Sequence, residues 1–378
     1  MNAPVPFAPQ MAKSRWVDSV MTTLTPDQRV AQLFMVAAYS NRKRIDEDSV
    51  SQLVQQYGVG GLIFFQGGPV RQSKLLNRYQ AQAKVPLLVA MDAEWGIGMR
   101  LDSTTRFPYQ MSMGGVQDTA LLYEMGAEIA RQFKRTGMHV NFAPVVDVNN
   151  NAANPVIGYR SWGDDREEVT AKSYQYMRGM QDNGILAVAK HFPGHGDTDT
   201  DSHLALPLIR VDQRRIDTLE LFPFRDLMRR GLGGIMIAHL NIPALDSTGI
   251  PSTLSKPIVT GMVKEKMGFE GVIFTDAMNM KGLTNMFPPG EGDVRALLAG
   301  NDVLEFSKNI PLALTMVREA INRGEITQEE IDRRCRKVLA LKEWSGLNKY
   351  QPIDLKNLYQ DLNTPHANYL SQRLSGLS

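Results

Sequence analysis

Short apolar runs recur along the chain at 33–37, 60–65, 87–92, 138–144, 185–191, 234–240, 271–276 and 302–306. Within each run the apolar side chains follow one another without strict alternation, so each predicts a β-strand covered on both faces. Between them lie segments with helical spacing, at 46–57, 70–83, 118–136, 165–183, 212–230, 255–267 and 291–299. In the stretch 118–136, Leu121, Leu122, Met125, Ile129 and Phe133 fall on one stripe, which is how a helix presents one face to a core. Ser255 and Pro257 supply a cap and a first-turn proline for the segment 255–267. Two more helices are predicted at about 311–323 and 327–344, the second opening at the cap-like Thr327.

Eight strands alternating with helices place the chain in the α/β class. They predict a closed (β/α)8 barrel of TIM type, with an open doubly wound sheet as the competing arrangement. The polar positions favour the barrel. Asp92, Lys190, His191, His239 and Asp276 all stand at the C-terminal ends of predicted strands, on the face where barrel enzymes assemble their sites. The expected organisation is a single catalytic domain over 25–345, comprising the barrel and its C-terminal helices. An extension, 1–24, precedes it. The polar, weakly patterned residues 346–378 follow, read as a tail or a linker to a further domain.

Composition narrows the function classes. The 42 basic and 40 acidic residues leave a net charge of +2, which gives no electrostatic footprint for nucleic acid or an anionic membrane. No apolar run reaches 18 residues, so no membrane-spanning segment is expected. Cys335 is the single cysteine, which excludes an intramolecular disulfide and a cysteine-rich metal site. Residues 1–10 lack the basic and apolar regions of a signal peptide. The compartment stays open: extracytoplasmic if a signal peptide has been removed, cytoplasmic otherwise. Oligomeric state is equally unreadable.

The densest chemistry lies in Lys190-His191-Phe192-Pro193-Gly194-His195-Gly196-Asp197-Thr198-Asp199-Thr200-Asp201-Ser202-His203, which holds three of the six histidines. It leaves a strand end and runs into a Gly/Pro/Asp loop, the composition of an irregular functional loop. A solvated loop with turn-capping aspartates is the bland alternative. A metal site is another, although no cysteine pair supports it. Asp276 ends an apolar strand after Thr275. A carboxylate there can attack or stabilise an oxocarbenium-like centre, or simply cap the next helix.

The string KHFPGHGDTDTDSH resembles the signature loop of glycoside hydrolase family 3, in its β-N-acetylglucosaminidase branch. Five further segments are similar to that family in the same order: MDAEWGIGMRL at 91–101, HVNFAPVVDV at 139–148, GYRSWGDD at 158–165, GIMIAHLNIPALD at 234–246 and GVIFTDAMNMKG at 271–282. The resemblance covers roughly residues 25–345. It implies a retaining exo-glycosidase that removes terminal β-linked N-acetylglucosamine, or N-acetylhexosamine, from fragments of peptidoglycan or chitin. It implies Asp276 as the nucleophile and the Asp201–His203 pair as the general acid/base, with His195 as the rival for that role. Asp92, Arg100, Arg160, Lys190 and His191 would line the subsite of the cleaved sugar. No cofactor or metal is implied, and the partner is a carbohydrate.

One departure stands out. The family commonly reads Asp-Gln-Glu-Gly-Gly-Arg-Val after the strand, whereas residues 92–98 read Asp-Ala-Glu-Trp-Gly-Ile-Gly. Ile97 takes the place of the first arginine, and Arg100 survives at a second position. Trp95 then either stacks on a sugar or packs on the barrel top. Glu94 and Asp147 read as makers of buried salt bridges, and His239 as serving the aglycone side or a structural hydrogen bond. A phosphorylase, and a carbohydrate-binding barrel without catalysis, remain the alternative activities.

Overall fold

The computed structural model describes residues 2–198 and 205–377. Eight parallel strands form the centre: Phe34–Ala38 (β1), Gly61–Phe64 (β2), Leu88–Met91 (β3), Val140–Asn141 (β4), Leu186–Phe192 (β5), Gly234–Ile237 (β6), Val272–Thr275 (β7) and Leu304–Glu305 (β8). Each pairs with its successor from β1 to β7, and β8 returns to β1. At the remaining seam Phe274 bridges to Val303, and Thr275 N donates to Val303 O at 3.0 Å. The result is the nearly closed (β/α)8 barrel expected from the apolar runs.

Those runs are continuous because each strand has side chains in the barrel interior and others under the helix layer. All seven residues of β5 are buried. Apart from β1 and β5, the strands stop short of the C-terminal ends of their runs, where backbone partners change. Beyond Asn141 the chain meets Pro144, which has no N–H for a ladder, and Phe142 N and Val146 N are taken up singly by Met91 O and Lys190 O. This splaying opens the space that the site occupies.

The helix Ala120–Arg135 carries the stripe read from the sequence, with Leu121, Leu122, Met125, Ile129 and Phe133 all buried. It packs on Arg166–Gln181, which Asp165 caps by accepting from Glu168 N at 2.8 Å. Glycines permit the close approach. A Cβ on Gly126 would lie 2.4 Å from Tyr176 O, and one on Gly179 would lie 2.2 Å from Tyr123 O. The contact fixes Tyr176, whose hydroxyl lies 3.0 Å from both Ala93 O and Glu94 O at the exit of β3. Helix packing is thereby linked to the site.

Both ends of the described chain are docked. Helices Ala8–Lys13 and Arg15–Thr23 pack on Gln328–Trp344. The stretch after Gly346, read as a tail or linker, folds back along the barrel. Its helices Leu358–Leu362 and Pro365–Gly376 bury Leu358, Leu362, Leu370 and Leu374 and pack on Ala120–Arg135. Arg135 holds it further through Asp361 and the carbonyls of Asp354 and Lys356. Burial of each such leucine contributes about 1.5–3 kcal/mol to the docking. No described helix is long and apolar enough to cross a membrane.

At the N-terminal floor of the barrel lies a buried lysine. Lys342 has no exposed surface, and its ammonium meets Gln32 Oε1 at 2.7 Å. Burial pushes it down to about 7 from 10.5, only weakly opposed by Cys335. The unfolded chain therefore keeps a proton that the folded one sheds between pH 7 and 10.5, so stability rises with pH across that window. Lys342→Met is expected to raise the melting temperature by a few degrees at pH 6, with the gain shrinking towards pH 10. Calorimetric scans at the two pH values check this, and a pH-independent difference would count against it.

Candidate active site

The C-terminal ends of the strands surround a cavity of about 400 Å3, within the range of about 300–1,000 Å3 common for small-ligand sites. Asp92, Arg100, Arg160, Lys190, His191 and Asp276 all line it. Asp276 is thus on the same rim as Lys190 and His191. Asp201 and His203 lie outside the described residues.

A buried network organises one wall. Lys190 Nζ lies 2.8 Å from Asp92 Oδ1 and 2.8 Å from Glu94 Oε1. Arg160 clasps Glu94 with two bonds, Nη2–Oε1 at 2.7 Å and Nε–Oε2 at 3.0 Å. Arg100 Nη2 donates to Asp92 Oδ2 at 2.9 Å, which shows how the second arginine position anchors the strand-end carboxylate without one at Ile97. Burial alone would lift the Asp92 carboxyl, but Lys190 and Arg100 outweigh it and hold it below the usual carboxylate range. Burial is likewise outweighed at Glu94, where Arg160 and Lys190 hold the carboxyl far down. Lys190 is raised because Asp92 and Glu94 overcome the effect of its burial. The wall presents fixed charges of both signs, suited to the hydroxyls of a polyol: carboxylates accept, while Lys and Arg donate.

The histidines are held by their neighbours. His191 Nδ1–H donates to Asp147 Oδ2 at 2.7 Å, and Arg160 Nη2 meets Nε2 at 3.3 Å. Since guanidinium only donates, Nε2 is the acceptor, which sets the tautomer. Asp147 also accepts from the backbone N–H groups of His191 and His195. Burial, first, and His191 push His195 down to about 4, with Asp147 and Asp276 pulling the other way. Its Nδ1 lies 2.7 Å from Thr198 Oγ1. His195 is neutral near pH 7, which weakens it as a proton donor. His239 is buried beneath the rim, with Nε2–H donating to Ala277 O at 3.0 Å and Nδ1 2.7 Å from Thr253 Oγ1. It braces the residue that follows Asp276.

Asp276 leaves β7 with its N–H on Ile237 O at 2.9 Å, and its Oδ1 accepts from Ala277 N at 2.8 Å. The carboxylate is half-buried, oriented by its own backbone, and faces the cavity. Among the described residues no group of three or more His, Cys, Asp or Glu side chains is placed to hold a metal ion.

Two features of the wall are absent from the sequence reading. Glu305, at the end of β8, lines the cavity and is 4% exposed. Tyr39, Phe65 and Phe306 form an aromatic side, with Tyr39 and Phe65 stacked at 5.3 Å and Phe306 edge-on to Phe65 at 5.6 Å. Trp95 is buried, edge-on to Tyr109 at 4.7 Å. It packs on the barrel top, and Tyr159 beside it is the exposed ring. A larger cavity of about 800 Å3 lies at the opposite end of the barrel. Its central carboxylate, Asp302, is already paired with Lys264 and Lys337.

Residues 25–341 match the family model for the glycosyl hydrolase family 3 N terminal domain. The chain belongs to glycosyl hydrolase family 3. Within that family it is 31% identical over 333 residues to beta-hexosaminidase LpqI of Mycobacterium tuberculosis, covering 84% of this chain and 83% of that protein. It is 29% identical over 326 residues to beta-hexosaminidase A of Pseudoalteromonas piscicida, covering 78% of this chain but only 54% of that relative. This chain therefore spans about half the length of the Pseudoalteromonas protein. A solved family 3 beta-N-acetylglucosaminidase from Paenibacillus sp. superposes with a TM-score of 0.88 at 36% identity, over 94% of this chain and 69% of that one. The family 3 resemblance read from the 190–203 loop and the strand-end motifs holds along the whole barrel.

Proposed function

We propose that this chain is a retaining exo-glycosidase that hydrolyses terminal β-linked N-acetylglucosamine, or N-acetylhexosamine, from peptidoglycan- or chitin-derived fragments. The observation that carries the reading is the sharing of one cavity by Asp276 and the Asp92–Lys190–Glu94–Arg160 network. The similarity to the beta-hexosaminidase LpqI and to the Paenibacillus beta-N-acetylglucosaminidase supports the sugar class.

The chemistry is a double displacement. Asp276 attacks the anomeric carbon as the glycosidic bond breaks, giving a glycosyl ester, and His203 transfers a proton to the departing oxygen. Asp201, two residues away, pairs with the imidazole and favours its protonated form. Water then attacks the anomeric carbon, His203 takes the proton back, and the ester bond to Asp276 breaks. Asp92, Arg100, Arg160, Lys190 and His191 hold the ring while this happens. No resident cofactor enters these steps.

Turnover of aryl N-acetylglucosaminides, N-acetylgalactosaminides and glucosides, with and without inorganic phosphate, tests the proposal. The expected result is preferential release of free N-acetylglucosamine with β-configuration in the first-formed product. Sugar 1-phosphate as the main product would replace hydrolysis by phosphorolysis, and preference for the glucoside would overturn the sugar assignment.

A further inference from the structure

The cavity holds one acid that the proposed mechanism does not use. Glu305 ends β8, and its backbone is fixed from three sides. Its N–H donates to Thr275 Oγ1 at 3.1 Å, its carbonyl accepts from Met278 N at 2.8 Å, and the next N–H, of Phe306, donates to Met35 O at 3.0 Å. Phe306 takes a φ of 58°, a left-handed conformation that strains a bulky side chain. The turn it makes ends the strand at Glu305, whose side chain lines the cavity.

Glu305 is 4% exposed, and among the described residues its Oε1 has no hydrogen-bond partner. Buried polar atoms are nearly always satisfied, so an orphan in a cavity wall is an unfilled half of a contact. We infer that Glu305 is a further substrate-contacting residue, whose carboxyl hydrogen-bonds a hydroxyl of the bound sugar ring. The inference rests on the glycosidase reading of the same cavity.

The charged groups that face Glu305 are Asp92 from β3, Asp276 from β7 and Lys190 from β5. Burial, together with Asp92 and Asp276, pushes its carboxyl well above the ordinary range, and Lys190 opposes this only in part. The direction of the shift favours the protonated acid, which can donate as well as accept.

The test compares Glu305→Gln and Glu305→Leu, by kinetics on an aryl N-acetylglucosaminide and by calorimetric binding of free N-acetylglucosamine. Gln keeps a neutral donor and acceptor, so its kcat/KM is expected within a few-fold of wild type. Leu leaves the sugar hydroxyl unpaired, and kcat/KM is expected to fall about tenfold, mostly through KM, with the melting temperature held or raised. Wild-type binding of the sugar is expected to weaken as rising pH ionises Glu305, while Glu305→Gln lacks that dependence. This last comparison stands even if the Leu variant fails to fold. Wild-type constants for Glu305→Leu, or identical pH profiles for wild type and Glu305→Gln, overturn the inference. So does a Glu305→Gln variant impaired only on substrates with poor leaving groups, because that is the signature of a proton donor. Absence of wild-type turnover and sugar binding would instead remove the glycosidase reading itself, so the two failures are separable.

Discussion

Asp276→Asn is expected to lower turnover of an aryl N-acetylglucosaminide by roughly four orders of magnitude or more, while binding of free N-acetylglucosamine stays within about tenfold. The asymmetry follows from geometry. Asp276 is oriented by Ala277 N and sits apart from the Asp92–Lys190–Glu94–Arg160 wall, whose mutual bonds do not involve it. Removing its charge takes away the covalent step and leaves the ring-holding groups in place. A smaller variant, Asp276→Gly, makes a sharper test. Azide admitted to the vacated space attacks from the face the carboxylate used, and the expected product is the glycosyl azide of inverted, α configuration. Wild-type rates in Asp276→Asn, or azide rescue with the β configuration, would remove Asp276 from the nucleophile's position. Loss of binding together with turnover would make it a structural residue.

The barrel was readable because its physics is local. A strand sandwiched between interior and helix layer must be apolar on both faces, so continuous runs such as 185–191 mark strands without any knowledge of their partners. Asp92, Lys190, His191 and Asp276 were readable for a related reason, since a polar residue ending such a run emerges at the mouth. The same rule reaches Glu305 at the end of 302–306. What it lacks in the sequence is a nearby motif of Gly and charged residues to single it out. Arg160 was assigned by resemblance alone, and its clasp on Glu94, 66 positions away, is a tertiary pairing that spacing does not encode. The helices of the stretch after Gly346 were hidden for another reason. Leu358 and Leu362 are spaced four apart as a helix requires, but a five-residue helix is shorter than the window over which periodicity can be read. Trp95 was undecidable because stacking on sugar and packing on Tyr109 ask the same thing of the sequence, an aromatic at the rim.

The ion network carries the second large effect. Glu94 has no exposed surface and is the common partner of Arg160 and Lys190. Glu94→Ala leaves Lys190 with Asp92 alone and takes from Arg160 the carboxylate it clasps, and breaking a buried pair from one side costs about 3–5 kcal/mol. In a chain of this length that corresponds to a melting temperature lower by roughly 5 °C. Sugar affinity should fall with it, because Lys190 and Arg160 lose the anchor that aims them. The pH dependence has a definite sign. The Glu94 carboxyl is held far below 4.5 in the fold, so its contribution is complete above the unfolded value and is lost as pH falls towards the folded one. The stability gap between wild type and Glu94→Ala should therefore be widest near neutrality and narrow in acid. Glu94→Leu combined with Arg160→Met separates structure from function. Removing both charges takes away the desolvation cost with the attraction, so most of the stability should return while sugar binding does not. Recovery of binding along with stability would mean the network only holds the fold. No recovery of stability would mean that Glu94 acts mainly through Lys190, and Glu94→Leu with Lys190→Met would then be the pair that restores it.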